Sequence, residues 1–234
     1  AQTAGTWMAR AGVVTISPQV TSGTLTAPDF KGGTKADVLS DTTLGGGITY
    51  MLTDNVSVDV PLALPFKHKL VGDGAMAGAG ELGSVQALPF VVFLQYRFLE
   101  ASAKFRPYVG MGATYAYFFN EEGSGKLTAT TNPGGSPTKF TVDSKFALTP
   151  QVGATFALND KWFIDVFYAK TFLKTRTNFS TGQTMDIALD PVSYGLNIGY
   201  TEPLSQQKSP LATAGFFCFN LRHRPCLLLS APGH

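Results

Sequence analysis

At 234 residues the chain has room for one large all-β domain or two small ones. Only 15% of it is charged against 44% hydrophobic, well under the roughly 25% charged share of an ordinary soluble domain. Removing Lys208, Arg222, Arg224 and Glu202 leaves residues 1–200 with 15 basic and 15 acidic side chains, a neutral body with no nucleic-acid footprint. Its longest uncharged apolar runs, such as 88–96, fall far below the ~20 residues of a spanning helix, so strands alone are left to cross a membrane.

In chain order, Ala1-Gln2-Thr3-Ala4 is expected to be the stub left by signal-peptide cleavage. Period-two alternation then predicts a first strand over 6–17, with Arg10 on its less apolar face, and a second over 42–52 that turns Gly45 and Gly47 the same way. Thr53-Asp54-Asn55 is a tight turn. The third strand, 56–67, alternates Val56, Val58, Val60, Leu62, Leu64 and Phe66 with Ser57, Asp59, Pro61, Ala63 and Pro65. The fourth, 89–98, sets Phe90, Val92, Leu94, Tyr96 and Phe98 against Val91, Phe93, Gln95 and Arg97. After the short link 99–104, the fifth strand, 105–119, sets Phe105 through Phe119 at odd numbers against Arg106, Tyr108, Gly110, Gly112, Thr114 and Ala116. A sixth strand covers 145–158, with Gly153 inward. Asn159-Asp160 turns into a seventh, 161–172, with Phe163, Asp165 and Phe167 inward, and the eighth, 186–200, turns Ser193, Gly195, Asn197 and Gly199 inward.

The links at 18–40, 68–87, 120–143 and 173–185 are long and rich in Gly, Ser, Thr and Pro, and they alternate with the short ones. Short turns at one rim and long loops at the other are the pattern of an outer-membrane barrel. A soluble eight-stranded barrel of the lipocalin kind would point its apolar face inward. Here the strand charges Arg10, Asp59, Arg97 and Asp165 lie opposite the continuous apolar face. The prediction is therefore an all-β fold: an eight-stranded antiparallel transmembrane up-and-down β-barrel, with outer-membrane lipid as its surroundings and a lumen only just wide enough for side chains. The four charges are expected to pair and close the interior rather than select ions. Inward Phe93, Phe163 and Phe167 either line a pocket for small apolar molecules or plug it. The inward glycines either leave a thin tunnel or relieve crowding where strands approach.

Several separated segments resemble the outer membrane protein W family of eight-stranded barrels. They include Met8-Ala9-Arg10-Ala11-Gly12, Ile48-Thr49-Tyr50-Met51, Pro65-Phe66-Lys67-His68-Lys69 and Leu88-Pro89. The longest is Lys104-Phe105-Arg106-Pro107-Tyr108-Val109-Gly110-Met111-Gly112. The resemblance covers nearly all of 5–200 and implies a Gram-negative outer-membrane channel for small hydrophobic molecules, admitted at the extracellular end and released sideways between strands. The rival reading is a structural or surface-recognition barrel whose loops serve as a receptor for phage, bacteriocin or host. The resemblance also implies assembly by the outer-membrane machinery, a lateral opening at Pro65, Leu88 and Pro89, and a constriction at Pro61 and Phe167, which with inward Phe93 and Phe163 makes up the candidate hydrophobic gate. Proline, which donates no N–H to a ladder, either opens such a gap or simply ends strands at the rim. Leu88-Pro89-Phe90 keeps one proline of the family's Leu-Pro-Pro, and of the family's aliphatic–aromatic constriction only Phe167 persists, with Pro61 in the aliphatic place.

Residues 201–234 contain both cysteines and two of the three histidines and show no alternation. They are expected to lie outside the barrel, through a change of reading frame after Tyr200 or, alternatively, as a periplasmic tail closed by a Cys218–Cys226 disulfide. The body holds one histidine, His68, expected at the rim against lipid headgroups, and no cysteine. No catalytic pair, cofactor or metal site is predicted, and the chain is not read as an enzyme.

Overall fold

The structure, a computed structural model, describes residues 1–202. The chain forms β1 (Trp7–Ser17), β2 (Thr21–Ser22), β3 (Thr34–Val38), β4 (Asp41–Met51), β5 (Val56–Ala63), β6 (Phe66–Gly74) and β7 (Glu81–Arg97). There follow β8 (Phe105–Gly123), α1 (Gly125–Thr131), β9 (Phe140–Val142), β10 (Lys145–Ala157), β11 (Trp162–Lys170), β12 (Lys174–Phe179), β13 (Thr184–Ala188) and β14 (Val192–Glu202). Eight of these, β1, β4, β5, β7, β8, β10, β11 and β14, pair antiparallel in that order, and β14 returns to β1 through eleven register pairs. The ring is closed. Closure leaves no edge strand, which a lipid environment demands because it offers the backbone no water to bond.

Inward and outward faces follow the predicted alternation. Leu62, Phe90, Leu94, Met111, Phe146, Leu148 and Leu196 are all more than half exposed, while Asp59, Arg97, Arg106 and Asp165 are at most 2% exposed. Aromatic pairs mark one rim: Trp7–Tyr50 at 4.7 Å, Phe105–Phe156 at 4.9 Å and Trp162–Tyr200 at 5.2 Å between centroids. Tyr115–Phe146 and Tyr117–Phe119 lie toward the other end. Such girdles are where amphipathic rings meet the two membrane interfaces. The short turns are built by side chains: Thr53 Oγ1 accepts from the amides of Asn55 and Val56, and Asn159 Oδ1 from those of Lys161 and Trp162 at 2.9 Å.

Three predictions change. The strand expected over 56–67 breaks at Leu64-Pro65, and Phe66, placed on the outward face, is 1% exposed. In the β5–β7 ladder Asp59 faces Phe93, whereas in the β6–β7 ladder Phe66 faces Ala87, so one extra residue has been fitted on the β5–β6 side. A one-residue slip turns every later side chain to the opposite face. Next, the stretch 186–200 divides at Asp190-Pro191: β13 leaves the barrel to pair with β12 and β2. Asp190 holds a positive φ there and its Oδ1 accepts from Leu173 N at 2.9 Å. Finally, the last strand does not stop at Tyr200, since Thr201 and Glu202 pair with Met8 and Trp7. The readings of the remaining tail, including a Cys218–Cys226 bridge, lie outside the described residues.

The long links are not plain loops. β6 and the upper ends of β7 and β8 rise above the apolar belt, with exposed Lys67 and Lys69 on the outer side of β6. A second sheet, β2-β13-β12-β9, stands with them. Together with α1, capped by Ser124, they enclose an apolar cluster of Leu25, Leu70, Met76, Leu82, Leu127, Phe140, Met185 and Ile187.

Candidate functional site

The lumen has two unlike halves. At the end of the short turns, Arg10 donates to Asp59 through both terminal nitrogens, and Thr49 donates to the same carboxylate at 2.6 Å. Arg10 Nε lies 3.6 Å from Asp165. Asp165 accepts from the Tyr108 hydroxyl at 2.9 Å and from Asn197 at 3.2 Å. Arg97, one layer lower, stands over the Tyr108 ring at 4.7 Å and donates to Gln95 and Ser57. Gln95 donates in turn to Gln151 at 2.8 Å. Gln2 is seated beneath, accepting from Arg97 and Arg106 and donating to Thr155. Arg10 and Arg97 offset Asp59 and Asp165 in charge, and Arg106 beneath them, equally buried, donates to the carbonyl oxygens of Gln2, Asp54 and Leu99. The predicted lumen charges are thus brought together. Tyr108, Gln95 and Gln151 complete the layer. Tyr108 and Gln95 stand on faces the alternation turns inward; Gln2 was missed because a presumed leader stub gave no signal.

The inward glycines resolve into close packing rather than a tunnel. Gly112 faces Phe93, Gly153 faces Tyr108, Gly195 faces Phe167 and Gly199 faces Phe163, each directly across a strand pair. A Cβ on any of the four would lie within 2.1–2.6 Å of the facing ring. Glycine here makes room for the aromatic on the next strand, a pairing that also pins register.

Above the polar layer lies a cavity of about 130 Å³. Pro61, Phe93 and Phe167 line it with Arg10 and Gln151, as do Phe66, His68, Leu70, Val85, Phe118, Leu173, Ile187 and Leu189 from the extensions. Phe163 does not. It packs with Met8 and Met51 near the opposite rim, so the predicted four-residue gate is brought together as three. His68 is also not the rim residue expected: the flip at Pro65 turns it inward, leaving it 4% exposed. Alternation of Phe66, His68 and Leu70 with Lys67 and Lys69 was the available signal for this upper wall. No three histidine, cysteine or carboxylate side chains converge on a metal-sized point among the described residues.

One wall is incomplete. β5 pairs with β7 only from Val56 to Asp59, and pairing resumes at Phe66 on β6. Residues 60–65 and 88–92 therefore face each other without pairing across the seam, while 60–63 stay paired with β4 and 88–92 with β8. Pro61, Pro65 and Pro89 stand along this seam, and none of them has an N–H to give. Of the predicted opening, Pro89 lines the cavity, Leu88 is half-buried beside it and Pro65 is exposed at the upper end. Leu62, 56% exposed toward the outside, also borders the cavity.

Comparison with known proteins agrees with this architecture. A family model described as the OmpW family matches residues 3–201. Outer membrane protein W of Vibrio cholerae is 34% identical over 202 residues, covering 84% of this chain and 88% of that protein. The dibenzothiophene metabolism operon protein PahQ of Pseudomonas aeruginosa is 26% identical, over 71% of this chain and 74% of its own. The crystal structure of the outer membrane protein OprG from Pseudomonas aeruginosa superposes with a TM-score of 0.77 at 26% identity, over 86% of this chain and 98% of that one. A closed eight-stranded ring with an apolar exterior, matched along its length to outer membrane proteins, leaves one assignment: the chain belongs to the OmpW family of Gram-negative outer-membrane β-barrels.

Proposed function

We propose that this barrel takes up small hydrophobic molecules at its extracellular end and releases them sideways into the outer membrane between β5 and β7. The observation that carries the reading is the unpaired seam with Leu62 on it, a residue that borders the cavity and the outside at once. Below the seam, the layer of Arg10, Asp59, Arg97 and Asp165 closes the way to the periplasmic rim. A solute admitted from above has the seam as its exit, gated by Pro61, Phe93 and Phe167. At about 130 Å³ the cavity is comparable to an engineered apolar one of about 150 Å³ that holds benzene. A relative named for a dibenzothiophene metabolism operon is in keeping with an aromatic, apolar cargo. A barrel that served only as a surface receptor would use the cap above the membrane and would have no use for a break in pairing beneath it.

The test closes the seam. With Cys218 and Cys226 replaced by serine, Leu62→Cys and Phe90→Cys are introduced on its two sides. Liposomes carrying the oxidised protein are expected to lose accelerated uptake of small aromatic hydrocarbons and to regain it on reduction. Unchanged uptake in a population shown by gel shift to be cross-linked would overturn lateral release.

A further inference from the structure

Within the apolar cavity one side chain is out of character. His68 stacks against Phe66 at 6.2 Å between ring centres and shares its surroundings with Val38, Leu70, Val85 and Phe118. Its Nδ1 lies 2.9 Å from the Leu39 carbonyl oxygen. A carbonyl oxygen only accepts, so Nδ1 carries the ring proton and Nε2 of the neutral ring is left with a lone pair. Among the described residues that Nε2 has no hydrogen-bond partner, although the ring lines the cavity. On the same cavity wall Thr177 Oγ1, on a residue 1% exposed, is buried without a partner. Elsewhere on this wall hydroxyls are satisfied, as in the run Thr114–Thr149–Thr171 at 2.6 and 2.9 Å. Buried polar atoms are normally paired, and an exception calls for a reason.

We propose that His68 Nε2 is the acceptor for a hydroxyl on the transported molecule, so that the cavity favours small aromatic alcohols of the phenol kind over the corresponding hydrocarbons. The proposal rests on the uptake reading above and names its substrate class. An apolar wall alone discriminates weakly against an added or missing hydroxyl, whereas a site with a fixed hydrogen-bonding atom tells the two apart. The lone pair is fixed here, because the Leu39 contact sets both the tautomer and the ring plane.

Phenol and toluene are near-isosteric and differ in the hydroxyl. Their affinities for the purified full chain in micelles, with empty micelles subtracted, give a ratio for each variant. In His68→Phe that ratio is expected to fall about tenfold from the wild-type value, the worth of one buried hydrogen bond. His68→Gln places an amide oxygen near the position of Nε2 and is expected to hold the ratio within about twofold of wild type. An equal ratio in wild type and His68→Phe overturns the proposal while leaving uptake of apolar solutes standing. Failure of the wild type to bind either solute above empty micelles overturns both.

Discussion

The two ends of the lumen solve the same problem, filling an eight-stranded ring, with opposite materials. The periplasmic half is packed with ions and amides that hydrogen-bond to one another, from Gln2 through Arg97 to Arg10 and Asp59, with Arg10 Nε and Asn197 Oδ1 left over. Its glycines are already occupied by facing rings. Above them the wall is aliphatic and aromatic, volume remains, and Thr177 Oγ1 is buried among apolar side chains with no partner. The contrast teaches where rigidity and where binding reside. A hydrogen-bonded polar layer fixes register and shape; an unfilled apolar chamber is free to receive a guest.

The most severe way to break this contrast is to unbalance the lower half. Asp59→Ala removes the bidentate partner of Arg10 and leaves its buried guanidinium with the Thr49 hydroxyl at 3.0 Å and one carboxylate, Asp165, at 3.6 Å. Stranding a buried charge costs about 3–5 kcal/mol. Urea unfolding in micelles is expected to show a loss of that size. The pair Arg10→Met with Asp59→Leu, which removes both charges together, should recover most of it. If Asp59→Ala unfolds at the wild-type midpoint, the layer is not what holds the lower half.

A smaller effect is expected from overpacking. A methyl at Gly199 would sit 2.1 Å from the Phe163 ring, whereas one at Gly125, in the first turn of α1, meets nothing within 4 Å. Gly199→Ala should therefore cost about 1–3 kcal/mol. Gly125→Ala should be neutral or stabilise by up to about 1 kcal/mol through helix propensity. Thermal unfolding of the two variants side by side measures the difference, and equal midpoints would show that Phe163 can yield.

The lower half was the more legible of the two in the sequence. Arg10, Asp59, Arg97 and Asp165 stand out on alternating strands because a charge marks its face without ambiguity. The seam was named from family likeness but could not be read from periodicity. Val60, Leu62, Leu64 and Phe66 continue one even-numbered apolar series, and the side switch at Pro65 is invisible when lipid and cavity are both apolar. His68 went to the rim for the same reason. The glycines stayed ambiguous because their meaning lies in what faces them across the sheet: Gly195 makes sense only once Phe167 is known to be its partner. The strands in the long links were hidden by Gly, Ser and Thr, residues that predict loops by composition.

The smallest predicted effect probes the upper half through its one titratable wall residue. His68 stands above the apolar belt, between outward-pointing Lys67 and Lys69. Burial pushes its proton affinity below the ordinary value, and the Leu39 carbonyl and the charge of Asp41 only partly offset this. The unfolded ring takes up a proton near pH 6.5, the folded ring only at lower pH. Between those points the unfolded chain binds more protons, so stability rises with pH there: it is intact above about 6.5 and declines as the pH falls through the folded value. His68→Gln removes the titration. Unfolding midpoints of wild type and His68→Gln, followed from pH 8 to pH 5, are expected to run in parallel above about pH 6.5 and to converge or cross below it. Parallel curves throughout would mean that the ring is hydrated well enough to be protonated in place, and that the chamber around it is wetter than its aliphatic lining implies.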